Sequence, residues 1–256
     1  MNIIAIVPAR MGSSRFPGKP LADIHGLPMV GHVALRTAMC KALAATYIAT
    51  CDDVIMEYAA SAGILAVMTS ASHTRCTDRT AEAMLKIEAD TGKKVDIVVM
   101  VQGDEPMVTP GMIDAALAPM LADPQLQVVN LMADMANEAE FEDPAEVKVV
   151  TDLAGNALYF SREPIPSRKK GVAAVPMKKQ VCIIPFKRDF LLEFNSLPES
   201  PLEIIESVDM MRILENGGTV RMAPIAERTL SVDTPEDLRR VRELMAKDAL
   251  RGSYGG

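Results

Sequence analysis

Tryptophan is absent from the 256 residues, and aromatic side chains make up only 4% of them. Core filling therefore falls to aliphatic side chains and to 18 methionines, whose flexible thioethers suit irregular gaps. Cysteine is scarce as well. Cys40, Cys51, Cys76 and Cys182 lie far apart with no C-x-x-C spacing, which argues against a disulfide framework and for reduced thiols in a cytoplasmic protein. His25, His32 and His73 lack metal-ligand spacing, so no zinc site is expected. No apolar run approaches the roughly 20 residues of a membrane-spanning helix. The opening "MNIIAIVPAR" has no basic stretch before its apolar run and no small-residue cleavage site, so it reads as a buried strand and not a signal peptide. A formal net charge of −7 argues against a nucleic-acid or anionic-membrane surface. A small anionic ligand needs only a local cluster of cations.

Short apolar runs alternate with helical periodicity through the first half. Ile3 to Val7, "TYIAT", "ILAVM", "VDIVVMV" and "LQVVNLM" read as five strands. Helices are expected at Met29 to Leu43, over "DDVIMEYAASAG", at Thr77 to Thr91 and at Met112 to Ala122. This rhythm predicts an α/β fold with a mixed, mostly parallel sheet. Near Asn137 the rhythm breaks. "VKVVTDLAGNALYFS" reads as an antiparallel hairpin, and "EPIPSRKKGVAAVPMKKQ" as an exposed loop. "VCIIPF" and "TVRMAPI" are further strands, and "SPLEIIESVDMMRILENGG" reads as one helix ended by Gly217 and Gly218. "TPEDLRRVRELMAKDAL" closes the chain as a helix, and "RGSYGG" is expected to be disordered. One domain over 1–256 accounts for the whole, with 137–195 as an inserted subdomain.

The chemistry concentrates in "PARMGSSRFPGKPL", residues 8–21. A Walker loop needs four residues between its first glycine and Gly-Lys, then Ser or Thr. Here Gly12 and Gly18 enclose five residues, and Lys19 is followed by Pro20, so neither that loop nor the dinucleotide fingerprint fits. What is left is a cationic loop, Arg10, Arg15 and Lys19, at the carboxyl end of the first strand, where open α/β sheets bind ligands. Phosphate binding is the functional reading; a basic surface loop is the bland one. "VVMVQGDEP" ends a buried strand in Gln102, Asp104 and Glu105. Asp104 either offers oxygen to a magnesium ion on a nucleotide or makes a turn and cap. Asp233, in "SVDTPEDL", either does the same or caps the last helix, a task Thr234 can also perform.

"PAR-x-x-S-x-R-x-P-x-K-P" resembles the opening of the sugar-acid cytidylyltransferases, most closely their 3-deoxy-manno-octulosonate (Kdo) branch. "VQGDEPM" at 101–107, "VKVV" at 147–150, "ALYFSREPIP" at 157–166, "SPLE" at 200–203 and "VDTPEDL" at 232–238 carry the same likeness in the same order. The resemblance implies a Rossmann-like nucleotide-diphospho-sugar transferase fold with an inserted antiparallel segment that supports a homodimer. It implies CMP transfer from CTP to a small acidic acceptor in the cytoplasm, with Mg2+ held by Asp104 and Asp233. Arg10 and Lys19 then serve catalysis. Pro8, Ala9, Arg10, Ser13, Arg15, Lys19, Arg75 and Gln102 face the nucleotide, and Gln102, Arg162, Glu203 and Glu206 the acceptor. Three stretches depart from the pattern. "HTRCTDR" stands for His-x-Ser-Gly-Thr-Glu-Arg, "QVCIIPF" replaces a His- and Tyr-bearing strand, and Asp209-Met210 replaces a Glu-Gln pair. The acceptor half is thus altered more than the activating half. A phosphonate acceptor, a UTP- or GTP-dependent relative acting on a sugar phosphate, and a non-catalytic nucleotide sensor are the alternatives.

Overall fold

The computed structural model describes residues 1–12, 15–171 and 174–254. Ser13, expected at the nucleotide, lies outside the described residues. The first half runs β1 (Ile3–Pro8), β2 (Asp23–Ile24), β3 (Leu27–Pro28), α1 (Met29–Ala38), β4 (Ala45–Thr50), α2 (Asp53–Ser61), β5 (Ala66–Met68), α3 (Cys76–Thr91), β6 (Ile97–Val101), α4 (Pro110–Ala122) and β7 (Val129–Asp134). It continues through α5 (Glu138–Glu142), β8 (Lys148–Thr151), β9 (Ala157–Ser161), β10 (Lys178–Val181), β11 (Ile183–Lys187), α6 (Arg188–Ser196), α7 (Pro201–Glu206), α8 (Met210–Glu215), β12 (Arg221–Ile225) and α9 (Pro235–Met245).

Five strands form the nucleotide-side sheet in the order β11-β6-β1-β4-β5, all parallel except β11. β1 is apolar and buried along its whole length, as a central strand covered on both faces must be. Its side chains alternate between two cores: Ala5 and Val7 pack on one face, Ile4 and Ile6 on the other. The second core draws on Met84, Met100, Met210, Met211 and Met222, the gap-filling that the composition suggested. A second sheet has the order β12-β7-β10-β8-β9 and is antiparallel apart from β12 on β7. A bridge between Val128 and Phe186 joins the two sheets edge to edge.

The mixed, mostly parallel α/β architecture matches the sequence reading, and three local readings need correction. "LQVVNLM" does not follow "VDIVVMV" in the parallel sheet, because antiparallel β11 takes the place beside β6 and pushes β7 into the second sheet. The single helix expected at 200–216 is two, since Ser207 adopts φ 53° and ends α7. Within the tail, Tyr254 is in place with its ring edge-on to His32 and centroids 5.6 Å apart, while Gly255 and Gly256 lie outside the described residues. The loops leaving the carboxyl ends of β1 and β6 lie side by side and frame the site.

Candidate functional site

Glycine permits the closest approach in this frame. A Cβ on Gly103 would lie 2.9 Å from the Pro8 carbonyl oxygen, so the loop after β6 can pass the end of β1 only without a side chain there. Asp104 follows directly. Its carbonyl accepts from Val232 N at 2.9 Å, which ties the segment bearing Asp104 to the segment bearing Asp233. Lys19 opens the short 3-10 turn Lys19–Leu21 and reaches into the junction. Its Nζ lies 2.8 Å from Asp104 Oδ2, 2.8 Å from the Val232 carbonyl and 3.3 Å from Asp233 Oδ1. Arg15 adds an Nη2 at 3.0 Å from Asp233 Oδ1. Burial works to lower the Lys19 pKa, but the two aspartates outweigh it and hold the ammonium above its ordinary value.

Asp104 does lie in a turn, with Gly103, but the capping readings of both aspartates fail on geometry. Thr109 caps α4, its Oγ1 accepting from Met112 N at 3.2 Å. At α9, Thr234 and Asp237 form a reciprocal capping box, and Asp237 also accepts from Asp233 N at 3.2 Å. The carboxylates of Asp104 and Asp233 are therefore left to face one shared cation. Among the described residues no group of three or more His, Cys, Asp or Glu side chains is placed to hold a metal. A magnesium ion carried by a nucleotide needs fewer, because phosphate oxygens and waters complete its shell.

A cavity of about 180 Å³ opens beside this junction, with Arg15, Asp104 and Asp233 at one part of its wall and Gln102, Arg162, Lys179 and Asp209 at others. Arg10 is exposed and lines a second, smaller cavity with Pro8, Ala9, Arg75 and Arg79. Arg15 thus joins Lys19 beside Asp233, whereas Arg10, expected with Lys19 in catalysis, lies on the smaller cavity.

Gln102 and Arg162 both line the larger cavity. Arg162 is also bonded to backbone, through Nε to the Glu206 carbonyl at 2.7 Å and Nη1 to the Pro144 carbonyl at 2.9 Å. The two glutamates expected beside it serve the scaffold instead. Glu203 is fully buried and takes Arg212 in a two-pronged pair, Nε–Oε2 2.7 Å and Nη2–Oε1 2.6 Å, while closing the capping box with Ser200. Glu206 accepts from Arg162 N at 2.8 Å, Tyr159 Oη at 3.1 Å and Ser161 Oγ at 3.3 Å. Neither glutamate is among the residues that line the cavity.

The sequence reading gave no role to three charged groups in the cavity wall. Lys179 on β10 is 3% exposed, pairs with Glu140 and with Glu146 Oε1 at 3.2 Å, and donates to the Thr229 carbonyl at 3.2 Å. "MKKQ" had read as the end of an exposed basic loop, but strand alternation turns Lys179 inward and Lys178 outward. Glu146 and Glu105 complete the group. Burial, with Asp104 beside it, pushes Glu105 up to about 8, and burial also raises Glu146 against the pull of Lys179. Burial lifts the Cys76 thiol to about 12 and raises Cys182 well above its ordinary value, so neither is a ready nucleophile.

Residues 4–228 match the cytidylyltransferase family model. The chain belongs to the cytidylyltransferase family. It is 42% identical to the 3-deoxy-manno-octulosonate cytidylyltransferase of Geobacter metallireducens over 96% of this chain and 99% of that one. Identity to the enzyme of the same name from Solibacter usitatus is 41%, over 100% and 99%. A solved CMP:2-keto-3-deoxy-manno-octonic acid synthetase complexed with CTP superposes with a TM-score of 0.87 at 39% identity, covering 96% and 99%. At 14% identity and a TM-score of 0.68, a Bacillus anthracis glucose-1-phosphate thymidylyltransferase structure shares the fold alone. The protein is accordingly a CTP-dependent nucleotidyltransferase. Among the described residues no helix is long and apolar enough to cross a membrane.

Proposed function

We propose that this protein joins CMP from CTP to a sugar acid, Kdo or a related 2-keto-3-deoxy acid, and releases pyrophosphate. The observation that carries the site assignment is the convergence of Lys19 and Arg15 on Asp104 and Asp233, beside a cavity that also exposes Arg162 and Gln102. The reading of relatives named for Kdo supports the acceptor class.

The acceptor hydroxyl attacks the α-phosphorus of CTP, and the bond to the bridging oxygen of pyrophosphate breaks. Negative charge grows on the departing pyrophosphate and the α-phosphate oxygens, so fixed positive charge is what the protein must supply. Lys19 and Arg15 at the junction, with Arg10 and Arg79 on the smaller cavity, offer it. The carboxylates of Asp104 and Asp233 fit a magnesium ion, because both already turn toward one cation and neither is used as a cap. Bound there, the ion would neutralise phosphate oxygens and lower the pKa of the attacking hydroxyl. Arg162 suits the acceptor's carboxylate by its planar fork, and Gln102 can both donate and accept to a sugar oxygen. The antiparallel segment within 137–195 is assigned to homodimer contact, and the cytoplasm is the compartment assigned.

Incubation with each of the four nucleoside triphosphates, magnesium and a panel of sugar acids, with pyrophosphate as readout, tests the reading. Release is expected with CTP and Kdo or a near relative. No release with CTP and any acid ends it, and stabilisation by CTP without turnover would mark a sensor instead.

A further inference from the structure

Arg75 follows a different logic from the other cations of the site. Its side chain lines the smaller cavity, yet its ion-pair partners belong to the segments around α7 and α8. Nε donates to Glu199 Oε1 at 2.8 Å and lies 3.8 Å from Glu203 Oε1. Nη1 lies 3.5 Å from Asp209 Oδ1 and 3.4 Å from Ser207 Oγ. Ser207 and Asp209 are both in the wall of the larger cavity. Two residues on from Arg75, Thr77 donates through Oγ1 to the other Asp209 oxygen at 2.8 Å. One short stretch, 75–77, therefore grips Asp209 from both oxygens and meets the left-handed Ser207 that separates the two helices.

The charge balance gives the grip a purpose. Burial holds the Asp209 carboxyl above its ordinary value, helped by the nearby Glu203, and Thr77, Arg75 and Arg212 offset part of that rise. Held by Thr77 and Arg75, the Asp209 oxygens keep further acceptor capacity, which suits a ligand that presents several hydroxyl donors.

We infer that Arg75 is a positioning residue for the acceptor: it holds Asp209 and Ser207 as the wall against which the hydroxyls of a polyhydroxy acid bind. This rests on the reading of the larger cavity as the acceptor site. Arg75 then acts through Asp209, joining the two cavities, and is not a nucleotide ligand.

The test is steady-state kinetics on wild type, Arg75→Met, Arg75→Lys, Asp209→Asn and the Arg75→Met/Asp209→Asn double variant. CTP is varied at fixed acid, and the acid at fixed CTP. Wild type is first run with Kdo and other 2-keto-3-deoxy acids; failure with all of them ends the acceptor reading and this inference with it. With an active acid, Arg75→Met and Asp209→Asn should each raise the acceptor KM about tenfold while the CTP KM stays within about twofold, because a buried polar partner is left unpaired. Arg75→Lys should recover part of the loss. The double variant should be no worse than the poorer single one, as expected for one shared interaction. A raised CTP KM with unchanged acceptor KM, or no change in either, overturns the inference while leaving the acceptor reading intact. Should Arg75→Met fail to fold, Arg75→Lys and Asp209→Asn report the same split.

Discussion

Lys19 and Asp104 are 85 positions apart in the chain, and Nζ lies 2.8 Å from Oδ2. Among the described residues, the two carboxylates have no other cation of comparable burial beside them, and the ammonium stands in the place a divalent ion would suit. Asp104→Asn and Asp233→Asn should therefore each lower the rate of pyrophosphate release by about a hundredfold or more, a loss of several kcal/mol of charge stabilisation. Both variants should still melt cooperatively near the wild-type temperature. Lys19→Met should slow turnover too, yet it should enlarge the rise in melting temperature that magnesium produces, since the competing ammonium is gone. Near-normal turnover in either aspartate variant removes the pair from the mechanism.

Glu203 and Arg212 make the opposite case, a charge pair with a structural task. Both are almost wholly buried, and Arg212 also donates to the carbonyls of Phe194 and Leu197 at 3.3 Å and 3.2 Å. Removing one partner strands the other in the core. Glu203→Gln should cost about 3–5 kcal/mol in urea unfolding, the usual penalty for breaking a buried pair. A loss of acceptor affinity with unchanged stability would instead return Glu203 to the acceptor site.

These two pairs show what could be read from the chain and what could not. Lys19 and Asp104 were legible because each follows a run of buried strand, β1 or β6, and the carboxyl ends of adjacent parallel strands meet by topology; Asp233 follows β12 of the second sheet, and its pairing with Asp104 came from the family resemblance. The choice between Arg10 and Arg15 was not, because it depends on the path of a loop that turns back at Gly18, whose φ is 75° and whose N–H bonds the Met11 carbonyl. Glu203 and Glu206 were assigned to the acceptor by resemblance alone. The break at Ser207 and the burial of Arg212 decide otherwise, and neither leaves a local signature. Lys179 was hidden by its twin Lys178, since only the pairing of β10 with β7 fixes which of the two points inward.

Glu105 should make stability depend on pH. In the folded protein its carboxyl titrates at about 8 against an ordinary 4.5, driven first by burial and then by Asp104 and Glu146, with Lys179 and the Cys182 backbone opposing. Between those two values the folded protein keeps a proton that the unfolded chain has lost. This contribution is full below pH 4.5, declines as pH rises, and is gone above about 8. Glu105→Gln stays neutral throughout, so its melting temperature relative to wild type should climb steadily from pH 5 to pH 8. A constant difference across that range would show that Glu105 is ionised in the folded state.

Tyr254 tests whether the chain end braces the site. Its hydroxyl sits 2.8 Å from His32 Nδ1 and 3.2 Å from Arg36 Nη1, and His32 Nε2 lies 2.7 Å from the Ile24 carbonyl. That carbonyl can only accept, so Nε2 carries the proton and Nδ1 takes the tyrosine O–H. Arg36 is 1% exposed, pairs with Asp248, and donates to the Val108 carbonyl at 2.6 Å and the Met107 carbonyl at 3.4 Å, in the loop that continues from Asp104. Tyr254→Phe removes one donor from a buried nitrogen and should cost about 1–3 kcal/mol. Arg36→Met strands Asp248 and two carbonyls, so it should cost about 3–5 kcal/mol and reduce turnover as well, through the Asp104 loop. Urea titrations of both variants give the order directly. If Tyr254→Phe proves as costly as Arg36→Met, the tail rather than the arginine holds the loop in place.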